Sequence, residues 1–338
     1  MYKITIIIPC RNEEKFIENC ILSILNFDDI NNYDYEMLLI DGRSDDNTRS
    51  IIHQYILANN RIKLIDNPKI IQSCALNIGI KQAKGDWIMR LDAHANYPKN
   101  YLKKLFDTAL KTNADNTGGI INTLPYNSSY SAIIIQALTT HKFGVGNSGF
   151  RIGIAEGETD TVPYGFFKKE IFNKIGFFNE QLVRGQDYEF NCRIKKNGGK
   201  IWLNPDIKIN YFNQPNIFRF LRKQYVLEAP YNVYMWYVAP NTFTLRHSIT
   251  GFFTSGIITG IILSLFVNWI CMFFVSVLLL YFILAFLSSV QQAIRYKKIL
   301  HIFTLPLCFF SFHFIHGLGI IVGLIKILTK KSPVQISV

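Results

Sequence analysis

The sequence has no glycine-rich phosphate-binding motif after its first predicted strand, where a dinucleotide-binding fold carries one. No GxGxxG follows the first apolar run, where "PCRNEE" stands instead, and no GxxxxGK(S/T) occurs in the 338 residues. The first absence disfavours a nicotinamide-dependent enzyme. Any nucleotide that binds must therefore be held through a metal ion rather than by a glycine cradle.

Cysteine pairs with the spacing of a metal or redox site are also absent. The six cysteines include no CxxC and no Cys/His spacing, which predicts reduced, structural thiols in a cytoplasmic setting. The net charge of +12 is scattered along the chain, and no RNA- or DNA-binding motif accompanies it. We therefore exclude a nucleic-acid partner and attribute the excess charge to anionic membrane lipid and a diphosphate substrate.

Charged side chains disappear from the run between Ser248 and Val290. At ~20 residues per transmembrane helix, this length predicts two spans joined by a tight turn near Asn268 and Trp269. A second apolar block, His301 to Leu328, supplies a candidate third span. A buried helical core is the alternative for an apolar region, but so long an uncharged run disfavours it.

The flanking charges predict the orientation of these spans. "MYKITIIIPC" does not match a cleavable signal peptide, and basic residues flank the first pair of spans, so the positive-inside rule keeps the preceding domain in the cytoplasm. The flanking residues are Arg246, Arg295, Lys297 and Lys298. A single crossing by the third block would place Lys330 and Lys331 outside. That block therefore spans as an exception, re-enters the membrane or breaks at Pro306.

Strand and helix patterns alternate in the N-terminal part of the chain. Apolar, β-branched runs such as "KITIIIPC" and "EMLLIDG" are followed by helix-forming stretches such as "NEEKFIENCILSILN". This repetition predicts an α/β fold with a mixed, mostly parallel sheet and helices on both faces. We assign residues 1–212 to this domain, 213–247 to an aromatic interfacial segment and 248–330 to a membrane domain. A plain amphipathic core helix is the alternative for the middle segment.

Polar side chains follow three of the predicted strands. They are Arg11, Asn12 and Glu13 after the first, Asp41 after the second, and Asp92 and His94 after the fourth. Ligands bind outside the carboxyl ends of the strands in open α/β sheets, so these side chains predict a binding site at one edge. The ordinary alternative for each acid is a solvated turn, and for Asp187 a first-turn complement to the helix dipole.

Five segments, in chain order, resemble a family 2 glycosyltransferase of the GT-A fold. They are "IIIPCRNEE", "LLIDGRSDDNT", "CALNIGIKQAKGDWIMRLDA", "DTVPYGFFKKEIFNKIGFFNE" and "RGQDYEFNCRIKKNGGKIWLNP". The variants "LDAHANYP" and "GQDYEFNCRI", with an apolar tail, are similar to membrane-attached glucosyltransferases of succinoglycan-type exopolysaccharide assembly. The resemblance implies transfer of one hexose, with glucose favoured, from a UDP-sugar to a polyprenyl-diphosphate-linked oligosaccharide. It places the catalytic domain on the cytoplasmic side of a bacterial-type inner (plasma) membrane.

The same resemblance implies a divalent metal, Mn²⁺ or Mg²⁺, at a DxD motif that here reads Asp92-Ala93-His94. Mn²⁺ accepts imidazole readily. We hypothesise that His94 binds the metal directly, while Asp92 bonds the ribose or a metal-bound water. The metal would neutralise the charge that builds on the departing diphosphate.

Further site residues follow from the resemblance. Asp41 would accept the uracil N3 proton, Glu13 would lie near the ribose, and Asn77 and Arg90 would sit beside the donor. The complete donor-nucleotide set is Pro9, Arg11, Asn12, Glu13, Asp41, Asn77, Arg90 and Asp92, and the acceptor-side set is Tyr164, Gly165 and Gln186.

Asp187 would be the general base, in a place where the family has an ED pair and this chain has Gln186-Asp187. Glu189 is the fallback, although two residues along a helix it would point elsewhere. One base without a carboxylate nucleophile implies inversion. The QxxRW of processive synthases is absent, since "QYVLE" follows Lys223, so we infer transfer of a single sugar.

Two other functions remain open from the sequence. A polyprenyl-phosphate monoglycosyltransferase would differ only in its acceptor, and a nucleotide-sugar-binding membrane scaffold would bind without turnover. The GxxxG spacings at Gly256/Gly260 and Gly319/Gly323 predict close packing of helices, within the chain or in a homo-oligomer. We expect His313 and His316, which lie in the last apolar block, to be placed near the membrane interface rather than at a lipid diphosphate.

Overall fold

The computed structural model describes residues 1–330 and contains one eight-stranded sheet. The strands are β1 (Lys3–Cys10), β2 (Asp34–Asp41), β3 (Ile62–Asp66), β4 (Trp87–Arg90), β5 (Asn116–Leu124), β6 (Gly157–Glu158), β7 (Phe166–Lys168) and β8 (Ile201–Phe212). Their order across the sheet is β3-β2-β1-β4-β7-β5-β8-β6. Strands β3, β2, β1 and β4 run parallel, whereas β7 pairs antiparallel with both β4 and β5. The expected mixed, mostly parallel order of the N-terminal strands is confirmed.

The helices are given in two groups, those before β8 and those after it. The first group is α1 (Ile17–Leu25), α2 (Thr48–Ala58), α3 (Gln72–Gln82), α4 (Tyr101–Thr112), α5 (Tyr130–Thr139), α6 (Lys142–Val145), α7 (Gly149–Ile152), α8 (Glu170–Ile175) and α9 (Gln186–Lys196). The later group is α10 (Ile217–Lys223), a π-helical turn (Gln224–Glu228), α11 (Ala229–Val238), α12 (Leu245–Ser264), α13 (Asn268–Tyr296) and α14 (His301–Leu328). Short 3-10 turns cover Ile30–Asn32 and Pro240–Thr242.

Strand β1 is buried on both faces because its sequence is apolar at nearly every position. Ile4, Ile6 and Ile8 belong to the main core cluster, and the intervening Ile7 is fully buried on the opposite face. There a Cβ added to Gly79 of α3 would lie 2.6 Å from the Ile7 side chain. Only glycine allows so close an approach of helix to strand, and this packing fixes α3 against the sheet beside the strand ends.

The chain divides into two compact units. The first combines Met1–Asn122 with Gly153–Tyr211, and the second combines Thr123–Ile152 with the chain from Phe212 onward. The stretch from Thr123 to Ile152, which carries α5, α6 and α7, thus belongs with the apolar helices. The functional division into 1–212, 213–247 and 248–330 stays a prediction.

Helices α12, α13 and α14 are each long and apolar enough to cross a membrane, by length and composition. Helix α14 continues without a break through Pro306, which leaves the exceptional span and the re-entrant segment as the alternatives for this block. Its 28 residues span roughly 42 Å at 1.5 Å per residue. Lys331 lies outside the described residues.

Small and polar residues pack these helices within the second unit. A Cβ on Gly319 would lie 2.8 Å from the Cβ of Ala229, and one on Gly323 would lie 2.9 Å from the Cα of Pro230. Within the described residues, an added Cβ on Gly256 meets nothing within 4 Å. Gly319 and Gly323 therefore pack inside the chain, as predicted for this spacing. His313 and His316 also bond within the bundle, to Tyr281 at 2.9 Å and to Thr250 at 2.8 Å.

Candidate active site

The loops after β1 and β2 are tied together by hydrogen bonds. The backbone N–H of Asn12 donates to Ser44 Oγ at 2.9 Å, and that of Asp45 donates to Asn12 Oδ1 at 3.1 Å. The N–H of Glu13 donates to Thr48 Oγ1 at 2.8 Å. Asn12, with φ of 55°, adopts a left-handed conformation that asparagine tolerates better than most residues. The predicted donor residue Asn12 therefore shapes the loop that presents Glu13.

Glu13 and His94 bring the ends of β1 and β4 into contact. Glu13 Oε1 lies 3.1 Å from His94 Nδ1, although the two residues are 81 positions apart. The His94 side chain is 50% exposed and that of Glu13 is 18% exposed. A carboxylate and an imidazole thus meet at the sheet edge, as the strand-end pattern predicted.

Asp92 accepts hydrogen bonds from two different elements. Arg90 Nη2 on β4 and Gln72 Nε2 on α3 each lie 3.3 Å from Asp92 Oδ1. The backbone N–H of Asp92 donates to the hydroxyl of Tyr97 at 2.8 Å. Both of these side-chain contacts use Oδ1.

Arg90 connects Asp92 to Asp187, which lies in the first turn of α9. Arg90 Nη1 is 3.5 Å from Asp187 Oδ2. The Arg90 side chain is 6% exposed, whereas that of Asp187 is 38% exposed. Burial acts to lower the pKa of Arg90, but the carboxylates of Asp92 and Asp187 outweigh burial and raise it. Arg90 therefore stays charged and holds two carboxylates of the site near one another.

The turn before α9 directs Asp187. Gly185 precedes the helix with φ of 73°, a conformation open to glycine. The N–H of Tyr188 donates to Asp187 Oδ1 at 2.9 Å, which fixes the carboxylate at the helix start. Glu189 is excluded as the base, because Arg193 binds both of its oxygens at 2.6 and 2.8 Å.

A cavity of about 150 Å³ opens at these strand ends. Its walls are Pro9, Cys10, Arg11, Glu13, Ile40, Asn67, Ile70, Gln72, Ala75, Asp92, Ala93 and His94. Burial, followed by the nearby carboxylates of Asp41 and Glu13, raises the pKa of Cys10, so its thiol stays neutral. The lining combines apolar side chains with carboxylate, amide, guanidinium and imidazole groups.

Asp41 is fully buried below this cavity, and other groups occupy its oxygens. Ser44 Oγ donates to Asp41 Oδ1 at 2.5 Å, and Arg49 Nη1 donates to Asp41 Oδ2 at 2.6 Å. Arg49 also binds Asp66 at 2.7 Å. A carboxylate has about four acceptor positions, so the expected contact between Asp41 and uracil N3 stays a prediction.

Asn67 lies on the cavity wall. Its side chain is 1% exposed, and its Nδ2 donates to the Ile71 carbonyl at 3.0 Å. Its Oδ1 is buried and has no hydrogen-bond partner within residues 1–330. A buried acceptor without a partner costs free energy, so Asn67 Oδ1 calls for an explanation.

The other predicted residues lie away from the cavity walls. Asn77 binds the segment before α9, with Nδ2 2.9 Å from the Phe178 carbonyl and 3.0 Å from Glu180 Oε1. Tyr164 is buried under Arg90, whose guanidinium lies 5.8 Å from the ring centroid. The Gly165 carbonyl accepts from the Arg90 N–H at 3.0 Å. These three residues support Arg90 and α9.

Comparison with known proteins identifies the family of the N-terminal part of the chain. Residues 5–172 match the family described as "Glycosyl transferase family 2". The chain carries a family 2 glycosyltransferase domain. Its predicted enzyme class, a glycosyltransferase, is confirmed.

The glycosyltransferase has curated relatives along most of its length. It is 29% identical over 334 residues to a dolichyl N-acetyl-alpha-D-glucosaminyl phosphate 3-beta-D-2,3-diacetamido-2,3-dideoxy-beta-D-glucuronosyltransferase of Methanococcus voltae, which covers 96% of this chain and 97% of that protein. It is also 29% identical over 209 residues to the succinoglycan biosynthesis protein ExoA of Rhizobium meliloti, which covers 61% of this chain and 62% of that protein. The alignment thus spans just under two thirds of ExoA.

A solved structure supports the fold. The mannosyltransferase PcManGT of Pyrobaculum calidifontis, in complex with GDP-Man and Mn²⁺, superposes with a TM-score of 0.59 at 16% identity. The match covers 97% of this chain and 87% of that one. The predicted GT-A fold followed by apolar helices is confirmed.

The donor atoms at the strand ends of the glycosyltransferase fit a divalent cation in part. Glu13, Asp92 and His94 offer carboxylate and imidazole groups, which Mn²⁺ accepts. In the described part of the chain, no group of three or more His, Cys, Asp or Glu forms a complete metal site. A cation at this edge would therefore take further ligands from a diphosphate and water, as Mg²⁺ does in many phosphate sites.

Proposed function

We propose that this glycosyltransferase moves one hexose from a UDP-sugar to a polyprenyl-diphosphate-linked oligosaccharide, with inversion at the anomeric carbon. The observation that carries the proposal is the placement of Asp187, which is partly exposed and 3.5 Å from the buried Arg90. Asp187 has the access that a general base needs, and Arg90 links it to the donor-side acid Asp92. Glucose remains the sugar that the resemblance favours.

The nucleotide would enter the cavity at the strand ends. Uracil carries an N3–H donor, and Asn67, on the cavity wall, has a buried Oδ1 without a hydrogen-bond partner among the described residues. Ile40 and Ile70, which line the same cavity, supply apolar contact for a flat ring. The mannosyltransferase of similar fold was solved with GDP-Man, and the N1–H of guanine would suit the same acceptor, so guanosine donors belong in the test.

The chemical step requires one proton transfer. Asp187 would take the proton from the acceptor hydroxyl as that oxygen attacks the anomeric carbon and the nucleoside diphosphate leaves. A positioned base of this kind contributes roughly 10²–10⁴-fold. A divalent cation, when bound, would neutralise charge on the leaving diphosphate. The second acid, Glu189, is bound by Arg193 and offers no nucleophile, which supports a single displacement.

A groove in the second unit supports a lipid-linked, phosphate-bearing acceptor. It has a volume of about 540 Å³ and is lined by Arg219, Arg222, Lys223, Val226 and Leu227. The three basic side chains lie on α10, and the two apolar side chains follow in the π-helical turn. This order suits an amphiphile with an anionic head and an apolar chain. The relative from Methanococcus voltae is named for action on a dolichyl-linked saccharide phosphate.

The proposal places the enzyme in a bacterial-type inner (plasma) membrane with its catalytic unit in the cytoplasm. Its apolar helices are long enough to cross a bilayer, and Arg246, Arg295, Lys297 and Lys298 follow the positive-inside rule for the first two. A homo-oligomer through the membrane helices remains an expectation, which Gly256, with open space around it, supports.

The test uses the purified full-length protein with Mn²⁺ or Mg²⁺ and a panel of labelled donors. The panel combines UDP- and GDP-linked glucose, mannose and uronic acids. Acceptors are polyprenyl monophosphate, polyprenyl-diphosphate oligosaccharides and the same oligosaccharides without lipid. We expect label in the lipid-diphosphate fraction from a UDP donor, and a higher acceptor KM when Arg219 and Arg222 are both replaced by alanine. Transfer to the monophosphate alone would identify a monoglycosyltransferase, and transfer to the lipid-free sugar at equal rate would exclude lipid recognition.

A further inference from the structure

Gln72 uses both ends of its side-chain amide inside the candidate active site. Its Nε2 donates to Asp92 Oδ1 at 3.3 Å, and its Oε1 accepts from Gln186 Nε2 at 2.7 Å. Gln186 is 4% exposed, and Gln72 lines the cavity. The amide group therefore joins the first turn of α9 to the acid after β4.

The direction of these hydrogen bonds follows from the chemistry of the end group. A carboxylate accepts and cannot donate, so Asp92 requires the NH₂ of Gln72 on its side. The oxygen of Gln72 then faces Gln186, and position 186 must supply a donor. A glutamine meets this requirement and an ionised glutamate does not.

The same residues form a closed ring through the site. From Asp92 the ring runs through Arg90 to Asp187, and Asp187 adjoins Gln186 in α9. From Gln186 it returns through Gln72 to Asp92. Two chains of contacts therefore join Asp92 to the first turn of α9, one through Arg90 and one through Gln72. Arg90 is buried in the first chain, and Gln186 is buried at the α9 end of the second.

We propose that Gln72 is a positioning residue that, with Gln186 as its obligatory donor, sets the orientation of Asp92 relative to Asp187. The claim rests on the proposed function, because it gives Asp92 a donor-side role and Asp187 an acceptor-side role. Reactions of this kind lose rate steeply when reacting groups are misplaced by about 1 Å. The Gln72–Gln186 pair thus couples the two halves of the site.

The orientation of the Gln72 amide can be tested by two substitutions of Gln186. A merely structural contact would not make the two variants differ in kcat. In Gln186→Glu, the Gln72 amide turns to donate to the new carboxylate and presents its oxygen to Asp92. In Gln186→Leu, Gln72 loses a donor but still donates to Asp92. We expect kcat to fall about 10- to 100-fold in Gln186→Glu and by less in Gln186→Leu, with donor Kd changing less than kcat in both.

Removal of Gln72 should erase this difference. In a Gln72→Leu background, we expect Gln186→Glu and Gln186→Leu to have equal kcat, and neither to be much slower than Gln72→Leu alone. Gln82→Leu is the matched control, because Gln82 is an exposed glutamine at the other end of α3. Thermal unfolding of each full-length variant separates a loss of rate from a loss of fold.

The inference is overturned if Gln186→Glu is no slower than Gln186→Leu, or if the two still differ without Gln72. If the wild-type protein transfers no sugar from any donor, the proposed function fails by itself. The role of Gln72 and Gln186 is then tested by the affinity of each variant for UDP with Mn²⁺. We expect Gln186→Glu to bind UDP more weakly than Gln186→Leu. Equal affinities throughout would overturn the inference there too.

Discussion

The guanidinium of Arg90 lies between the carboxylates of Asp92 and Asp187, 3.3 and 3.5 Å from their nearest oxygens. Arg90 and Asp187 are 97 positions apart and come from different elements, the end of β4 and the start of α9. A buried planar cation with several donors can serve two carboxylates at once, whereas a lysine ammonium is a single point of charge. Arg90 is therefore a group that holds the carboxylates of Asp92 and Asp187 near one another.

Replacing Arg90 by lysine should keep the charge and lose the bridge. We expect kcat to fall about 10- to 100-fold, because Asp187 is no longer held in place relative to Asp92. Steady-state kinetics with the wild-type donor measures this. Arg61→Lys, which alters a cation over the Tyr35 ring, is the control and should leave kcat unchanged. A fully active Arg90→Lys enzyme would show that the bridge has no kinetic role.

Asn67 should determine which nucleobase binds. Loss of one hydrogen bond in Asn67→Leu is expected to weaken UDP binding about tenfold and to reduce the preference for UDP over CDP, since cytosine N3 cannot donate. Asn67→Asp keeps an acceptor and should bind UDP better than Asn67→Leu. Calorimetric titration of the full-length protein gives both affinities.

Asp41 provides the contrast for that measurement. Asp41→Asn removes the ion pair with Arg49, so we expect a lower unfolding temperature with the UDP/CDP preference retained. If Asp41→Asn loses the preference for UDP over CDP while Asn67→Leu retains it, Asp41 is the residue that recognises the nucleobase.

His94 should contribute to metal affinity. We expect His94→Ala to weaken Mn²⁺ binding in the presence of UDP, because imidazole is a ligand that Mn²⁺ accepts. Paramagnetic relaxation of water or electron paramagnetic resonance titration measures bound Mn²⁺ directly. His53→Ala, an exposed histidine on α2, is the matched control. Mn²⁺ affinity that is unchanged in His94→Ala would exclude His94 as a ligand.

Glu180 should give the protein an acid-sensitive contribution to stability. Hydrogen bonds from Lys69 and Asn77 lower the pKa of Glu180 to about 2, against about 4.3 for an unfolded glutamate. Because the folded-state pKa is depressed, the stabilisation is complete above about pH 4.3 and is lost as the pH falls toward 2. The difference in unfolding temperature between wild type and Glu180→Gln should therefore shrink across this interval. A difference that stays constant with pH would contradict the assignment.

The strand-end cluster was predictable because it depends on local pattern. Alternating strands and helices predict a parallel sheet, and the polar residues after its strands then meet at one edge, as Glu13 and His94 do. The family motifs added Asp187, whose first-turn position follows from the glycine before it. These features depend on sequence within a few residues of each side chain.

The contacts that sequence reasoning missed join distant segments. Gln186 was predicted as an acceptor-side residue, but its partner Gln72 is 114 positions away, and nothing near either residue in the sequence indicates the other. The ion pair of Asp41 with Arg49 on α2 was not predicted either, because the two residues belong to different elements. Asn67 was not predicted from the sequence either, because a buried oxygen without a hydrogen-bond partner can be recognised only from the positions of its neighbours, here among the described residues. The grouping of 123–152 with the apolar helices was likewise hidden, because it arises from tertiary packing.

The most direct test of the account is the rate of sugar transfer by Asp187→Asn in a single turnover with bound donor. Asparagine retains the size of the side chain and cannot accept the proton, so we predict a rate lower by roughly 10²–10⁴-fold with the affinity for UDP unchanged. Glu189→Gln, measured beside it, should retain transfer in whatever fraction of the protein remains folded. Transfer by Asp187→Asn within a few-fold of the wild-type rate would contradict the assignment of Asp187 as the base.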